Sequence, residues 1–305
     1  MLERIVFALR RSGIVMFTNP WLLGVAVLYS LLGPLLILGG TGLPMLVWFA
    51  SGRLSDPGQL WRDPLSFLVS QWQLILIAMA GCFVGFTIYL LVFLFYHGGL
   101  TAAFAEALPA GEAGGRKVGA HVFWSRGREL FGESALLATI ASLLPLLPAL
   151  GLLAVAAVAA FRLPELVLHG IKGLWPALAA LAVAGFLFLA LTLVTVWLGM
   201  LWYRLALCAR CLENVSGSAA MSRALKFAAD KWRLVLLFAV AVLVISLVSW
   251  GVTAPFTLAG RLLKQSSLAL SILTRLLAIP ISFVIGIFLE IWLKGALVAL
   301  FVDNR

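Results

Sequence analysis

Apolar residues run along this chain in long unbroken stretches, and charged residues gather in the short segments between them. About 20 consecutive apolar residues is the length that crosses a bilayer as a helix. Six such stretches can be drawn. The first starts near Pro20 and Trp21 and reaches about Ala50. Thirty residues of straight helix would measure roughly 45 Å, more than a hydrocarbon core needs. Pro34, the Gly39-Gly40-Thr41-Gly42 run and Pro44 therefore predict a kinked or interrupted helix. A polar connection follows over residues 51–70, with Arg53, Asp56, Pro57, Trp61, Arg62, Asp63 and Pro64.

The second span is predicted from Trp72 to Tyr96; its Gly81 and Gly85, four apart, would let a neighbouring helix approach closely. Residues 97–132 are mixed, with a glycine-rich turn at Gly111–Gly115. The third span covers about Ser134–Phe161, with a bend implied by Pro145 and Pro148, and a loop with Glu165, His169 and Lys172 follows it. The fourth runs from about Pro176 to Tyr203 and the fifth from about Leu234 to Leu258. After Arg261 and Lys264, the sixth runs from about Leu273 to Leu293, with Pro280 in its first turns. The fold class is thus all-α: six transmembrane helices in a bent bundle, a single integral membrane domain over 1–305.

The segments between spans carry a second pattern. Residues 216–232 read as an amphipathic helix: Met221, Leu225, Ala228 and Trp232 recur on one face, and Arg223, Lys226 and Asp230 lie on another. Ser216 or Ser218 is placed to cap its start. Near the N-terminus Leu2, Ile5, Val6 and Leu9 form a stripe opposed by Glu3, Arg4, Arg10 and Arg11. A looser version precedes span three, where Val118 and Val122 share a face and Gly119 and Gly127 weaken the helix. Basic helices of this kind suit the headgroup layer. Three span exits also look alike, at Phe95-Tyr96-His97, Trp202-Tyr203-Arg204 and Trp292-Leu293-Lys294. The unit this suggests is an interfacial elbow helix followed by a transmembrane hairpin, used three times, over about 1–97, 98–204 and 205–305.

Composition agrees with the spans. Hydrophobic residues make up 63% of the chain and charged ones 11%, where a soluble domain has about a quarter charged. The net charge of +10 reads as topology, because the basic residues lie between spans and no nucleic-acid motif accompanies them. One side collects Arg4, Arg10, Arg11, Arg116, Lys117, Arg126, Arg128 and the basic residues of 204–233. The other holds Arg53, Arg62, Arg162, Lys172, Arg261, Lys264 and Arg275. That bias of roughly two to one predicts both termini in the cytoplasm, in a bacterial inner (plasma) membrane. The first apolar run is too long for a signal peptide, so the N-terminus is expected to stay uncleaved. Arg10, Arg11, Arg223, Lys226, Lys231 and Arg233 are the candidate contacts to anionic lipid headgroups. A membrane-protein partner or a second copy of the chain is the other partner considered.

Chemistry-bearing residues are few. Cys82, Cys208 and Cys211 are an odd set; the Cys208-Ala-Arg-Cys211 spacing lacks the further ligands a zinc site needs. His97, His121 and His169 fall in different segments. Thr87, Thr192 and Thr195 are expected to bond their own helix backbone. Glu290 and Lys294, four apart, share a helix face and would neutralise each other. Alternatively Glu290 and Lys294, with His97 or Arg204, would form a polar site at the cytoplasmic mouth. No phosphate loop, serine-nucleophile motif or paired carboxylates are visible, so no enzyme activity and no cofactor are expected.

Asn19-Pro20, Gly98-Gly99-Leu100-Thr101, and Glu213-Asn214-Val215-Ser216-Gly217 leading into Ala224-Leu225-Lys226 give the chain a likeness. It resembles uncharacterised prokaryotic six-span membrane proteins related to the membrane domain of glycerophosphoryl diester phosphodiesterases. In that family the hydrolase, where present, is a separate soluble domain, and none is expected after span six here. The resemblance implies a membrane module and carries over no phosphodiesterase activity. The function expected is a non-catalytic organiser of lipid or a partner at the inner leaflet; the alternative is a transporter or channel for an apolar or amphiphilic solute, suggested by the Pro- and Gly-broken helices.

Overall fold

A computed structural model describes residues 1–42, 46, 72–109, 115–168, 171–262 and 267–304. The whole 51–70 connection, Pro44, most of the glycine-rich turn at 111–115, His169 and Lys264 lie outside the described residues. Among the described residues the chain is helical, with no strand. The helices are α1 (Leu2–Thr18), α2 (Trp21–Ile37), α3 (Trp72–Ala107), α4 (Ala120–Ser142), α5 (Leu146–Leu168), α6 (Ile171–Glu213), α7 (Gly217–Asp230), α8 (Trp232–Leu262) and α9 (Leu268–Val302). Five are long and apolar enough to cross a membrane, or six spans result if the bent pair α4–α5 counts as one. This fits an integral membrane protein.

The breaks fall where the sequence places them. Downstream of Pro34, α2 loosens into a π-helical turn at Leu38–Gly42, because proline lacks the N–H and its ring crowds the preceding turn. Pro145 lies in the break between α4 and α5, which bend by 44°, and Pro148 lies in the first turn of α5. Pro280, in contrast, sits inside the assigned helix α9.

The described residues form two compact units, Met1–Leu130 with Arg233–Asp303, and Phe131–Trp232. In the first, α1 lies against α9, and α2 against α3 and α9. The glycine pair of α3 is a contact as expected: a Cβ on Gly81 would collide with the Gly40 carbonyl oxygen, and one on Gly85 would come within 2.8 Å of that of Leu36. Only hydrogen fits there, so the two backbones touch. In the second unit α6 packs against α5 and α7. It ends at Asn214, whose φ of 52° is left-handed and whose N–H reaches the Arg210 carbonyl at 3.2 Å. Asparagine tolerates that conformation at a helix end better than most residues do. This is the physical content of the Glu213-Asn214 motif. Ser216 follows at the N-cap of α7, but its hydroxyl meets Ser218 at 3.4 Å and caps no backbone N–H.

Three helices run past the predicted exits without stopping. Gly98 and Gly99 lie inside α3, which continues to Ala107; α6 continues past Tyr203 to Glu213, and α9 past Leu293 to Val302. Burial changes along each. Leu90 and Leu91 are exposed, whereas Leu100, Ala103 and Phe104 are buried. Leu193, Val196 and Met200 are exposed, whereas Leu205 to Ala209 are buried; Ile279 and Val284 are exposed, whereas Ala296 to Val302 are buried. The change comes beside Tyr96, Tyr203 and Trp292, the aromatic exits seen in the sequence.

Candidate functional site

Each short helix uses a face different from the one its apolar stripe suggests. In α1 the buried residues are Ile5, Ala8, Arg11, Ser12, Val15 and Met16, while Leu2 and Val6 are exposed. In α7 they are Gly217, Ala220, Met221, Ala224 and Phe227, with Leu225 exposed; Trp232, expected on the same stripe, opens α8 and is exposed. The inner face of α7 is fastened to α6, where the Trp202 indole donates to the Met221 carbonyl at 3.2 Å. Gly127, expected to loosen its helix, instead makes room for a ring: a Cβ there would lie 3.0 Å from Phe95.

Arg11 is the main correction. It is 1% exposed, which leaves its side chain no surface to offer a headgroup. Its Nη1 donates to Asp303 Oδ1 at 2.5 Å and its Nη2 to the Pro109 carbonyl at 2.7 Å. A buried guanidinium needs such partners, since an isolated buried charge is prohibitively costly. Next to it, the Ser12 hydroxyl donates to the Trp292 carbonyl at 2.7 Å, and the Trp292 indole donates to the Leu9 carbonyl at 2.7 Å. Arg10, Arg223, Lys226, Lys231 and Arg233 are exposed as expected, with Arg223 near Glu213 at 3.6 Å.

Asn19 and Trp21 hold the strand of chain that leads into α4. The Asn19 amide donates to the carbonyls of Val15 (2.9 Å) and Arg116 (3.1 Å), its oxygen accepts from the Val118 N–H (2.7 Å), and the Trp21 indole donates to the Val118 carbonyl (2.9 Å). The Asn19-Pro20 motif is therefore a joint between segments almost a hundred residues apart.

Of the four residues named for a polar site at the span exits, Glu290, Lys294 and His97 lie in one unit and Arg204 in the other. Lys294 Nζ donates to Glu290 Oε1 at 2.5 Å, and it stands 4.4 Å above the centre of the Tyr96 ring. Tyr96 stacks on Tyr29 with centroids 4.0 Å apart, and the Tyr29 and Tyr89 hydroxyls share a 2.8 Å hydrogen bond. His97 is buried and sets its ring edge-on to both Tyr29 and Tyr96. Helices α2, α3 and α9 thus bring Glu290, Lys294 and His97 around three tyrosines that sequence reading missed. Their only signal was tyrosine at three places where leucine would serve for packing alone. Arg204 belongs to the other unit and is half-buried in α6.

That second unit has its own polar contacts. The Arg210 guanidinium binds both carboxylate oxygens of Glu133 and also the Asn214 side chain at 2.7 Å. Ser134 and Tyr203, both buried, share a hydrogen bond of 2.7 Å. Thr87, Thr192 and Thr195 donate to carbonyls one turn back in their own helices. Cys208 is buried and Cys211 half-buried. Among the described residues no three His, Cys, Asp or Glu side chains converge as a metal site would need. Comparisons with family models, curated proteins and solved structures return no match to the chain.

Proposed function

We propose that this chain is a non-catalytic, multi-pass protein of the bacterial inner membrane that organises anionic lipid at the inner leaflet. The observation that carries the reading is the outer face of α7. Lys226 and Lys231 are exposed and make no ion pair among the described residues, and Leu225 and Trp232 stand exposed beside them. Lysine next to an interfacial tryptophan suits a headgroup layer of negative charge, where each cation contributes on the order of 1 kcal/mol.

The change of burial along α3, α6 and α9 supports the placement. In hydrocarbon an apolar side chain loses nothing by being exposed, whereas beyond it the same side chain must be covered from water. A helix whose apolar residues pass from bare to buried at an aromatic residue is thus read as leaving the membrane there. On this reading the buried extensions, the basic helices and both termini share the cytoplasmic side. The order short helix, span, long span with a buried end recurs as α1–α2–α3 and α7–α8–α9, and in α4–α5–α6 the bent pair α4–α5 stands in place of the short helix and the span, which supports the threefold hairpin. The likeness to the membrane domain of glycerophosphoryl diester phosphodiesterases belongs to the same proposal.

The test uses the whole protein, because an isolated 216–232 peptide would bare the Ala220, Met221, Ala224 and Phe227 face that α6 covers. In native mass spectrometry of protein released from mixed nanodiscs, phosphatidylglycerol adducts should exceed phosphatidylcholine adducts. Replacing Lys226 and Lys231 by Gln should bring the two toward parity. Equal occupancy in the unaltered protein defeats the proposal.

A further inference from the structure

We infer that Glu290, at the mouth of the tyrosine cluster, binds the primary ammonium of an aminophospholipid headgroup; this rests on the lipid-organising reading above and assigns it a second, chemically distinct site. The argument starts from position. An ionisable pair inside or at the edge of a membrane span costs free energy that leucines would not, and its retention points to use. Lys294 is 8% exposed, whereas the Glu290 side chain is 34% exposed. The carboxylate is therefore the member of the pair that faces outward, at the level where α9 begins its buried extension.

The hydrogen-bond inventory then selects the ligand. Glu290 Oε1 accepts from Lys294, and Oε2 accepts from none of the described residues. An ionised carboxylate is an acceptor only, with capacity for several donors. What it can still take is an N–H or O–H, and a cation for preference. The aromatic faces exclude one class of cation. A quaternary ammonium is recognised by ring faces, having no N–H to donate, but the Tyr96 face is covered by Lys294 on one side and Tyr29 on the other. Tyr29 is in turn stacked against Tyr89, centroids 5.7 Å apart. Choline thus has no N–H for the carboxylate and finds both faces of the Tyr96 ring beside it taken, while ethanolamine finds the second carboxylate oxygen. The stack and the Tyr29–Tyr89 hydrogen bond hold Lys294, and through it the carboxylate, in place.

The experiment offers the purified whole protein nanodiscs with equal phosphatidylethanolamine and phosphatidylcholine, and counts bound lipids by native mass spectrometry. One charge-assisted hydrogen bond at a half-exposed site predicts about fivefold to tenfold enrichment of phosphatidylethanolamine. Glu290→Gln keeps an acceptor for Lys294 but removes the charge, and should abolish the enrichment. Lys226→Gln with Lys231→Gln should leave it intact. Free ethanolamine at millimolar concentration should not compete if the lipid is the source; competition would reassign the site to the soluble amine and overturn the lipid assignment. No enrichment in the unaltered protein, or enrichment that survives Glu290→Gln in a protein of unchanged melting temperature, overturns the inference and makes the pair a purely structural one. Loss of the phosphatidylglycerol preference alone would strike the α7 proposal and not this one.

Discussion

Arg10 and Arg11 are sequence neighbours with the same side chain, and replacing each by Met should give opposite results. Arg10 is exposed and Arg11 is buried between Asp303 and the Pro109 carbonyl. Removing one member of a buried ion pair costs about 3–5 kcal/mol, because the partner stays behind uncompensated. Asp303 keeps 23% of its side chain exposed, so water can approach it and the low end applies, about 3 kcal/mol. At about 2 °C per kcal/mol for a protein of this size, Arg11→Met should lower the melting temperature by about 6 °C. Arg10→Met touches no packed group and should change stability by less than about 0.5 kcal/mol. Both variants can be followed by tryptophan fluorescence during heating in one detergent at one scan rate, since irreversible unfolding makes rank order the meaningful quantity. Arg11→Lys should fall between, for an ammonium keeps the charge but cannot fork between two acceptors as the guanidinium does. An Arg11→Met protein that melts with the unaltered one, or an Arg10→Met protein that melts as early, would refute the assignment of a core role to Arg11.

Gly81→Ala places a methyl group against the Gly40 carbonyl and should destabilise by about 1–3 kcal/mol, while Gly24→Ala, with nothing within 4 Å of its Cβ, should be neutral or slightly stabilising; the same melting assay compares them. Asn214→Gly should keep the end of α6, but Asn214→Val should lower stability by about 1–2 kcal/mol, since a β-branched residue resists positive φ. Ser134→Ala leaves the buried Tyr203 hydroxyl without its 2.7 Å partner and should cost about 1–2 kcal/mol, with Ser134→Ala/Tyr203→Phe recovering part of the loss in a double-mutant cycle.

The all-helical fold with several helices long and apolar enough to cross a membrane, the helix breaks at Pro34 and Pro145 and the close approach at Gly81 and Gly85 were legible because each has a local cause. Apolar length, a missing N–H and a missing Cβ act wherever they occur. The ion pair of Glu290 and Lys294 was legible for the same reason, as four residues is one helical turn. Asn19, Tyr29 and Asp303 were not. Their partners lie 97 residues away at Arg116, 60 at Tyr89 and 292 at Arg11, and no spacing rule reaches that far.

The faces of α1 and α7 failed for another reason, and it bears on what these helices do. Amphipathic patterning assumes one apolar face and one solvent that rejects it. On the proposed placement at the inner leaflet, a helix between a protein core and a bilayer would meet two apolar surroundings, and its oily residues would spread over two arcs. In α7 the small residues Gly217, Ala220 and Ala224 turn toward α6, where close approach needs little volume, while Leu225 and the neighbouring Trp232 stay outside. In α1, Ile5, Ala8 and Val15 turn inward and Leu2, Val6 and Phe17 outward. Averaging two arcs into one stripe displaces the apparent face toward the middle, which is where Met221-Leu225-Ala228-Trp232 lies. The same logic explains why Arg11 could hide in an apolar-looking helix. If the outer arc meets lipid, as proposed above, the inner arc is free to carry a charge, provided that another part of the chain brings the carboxylate.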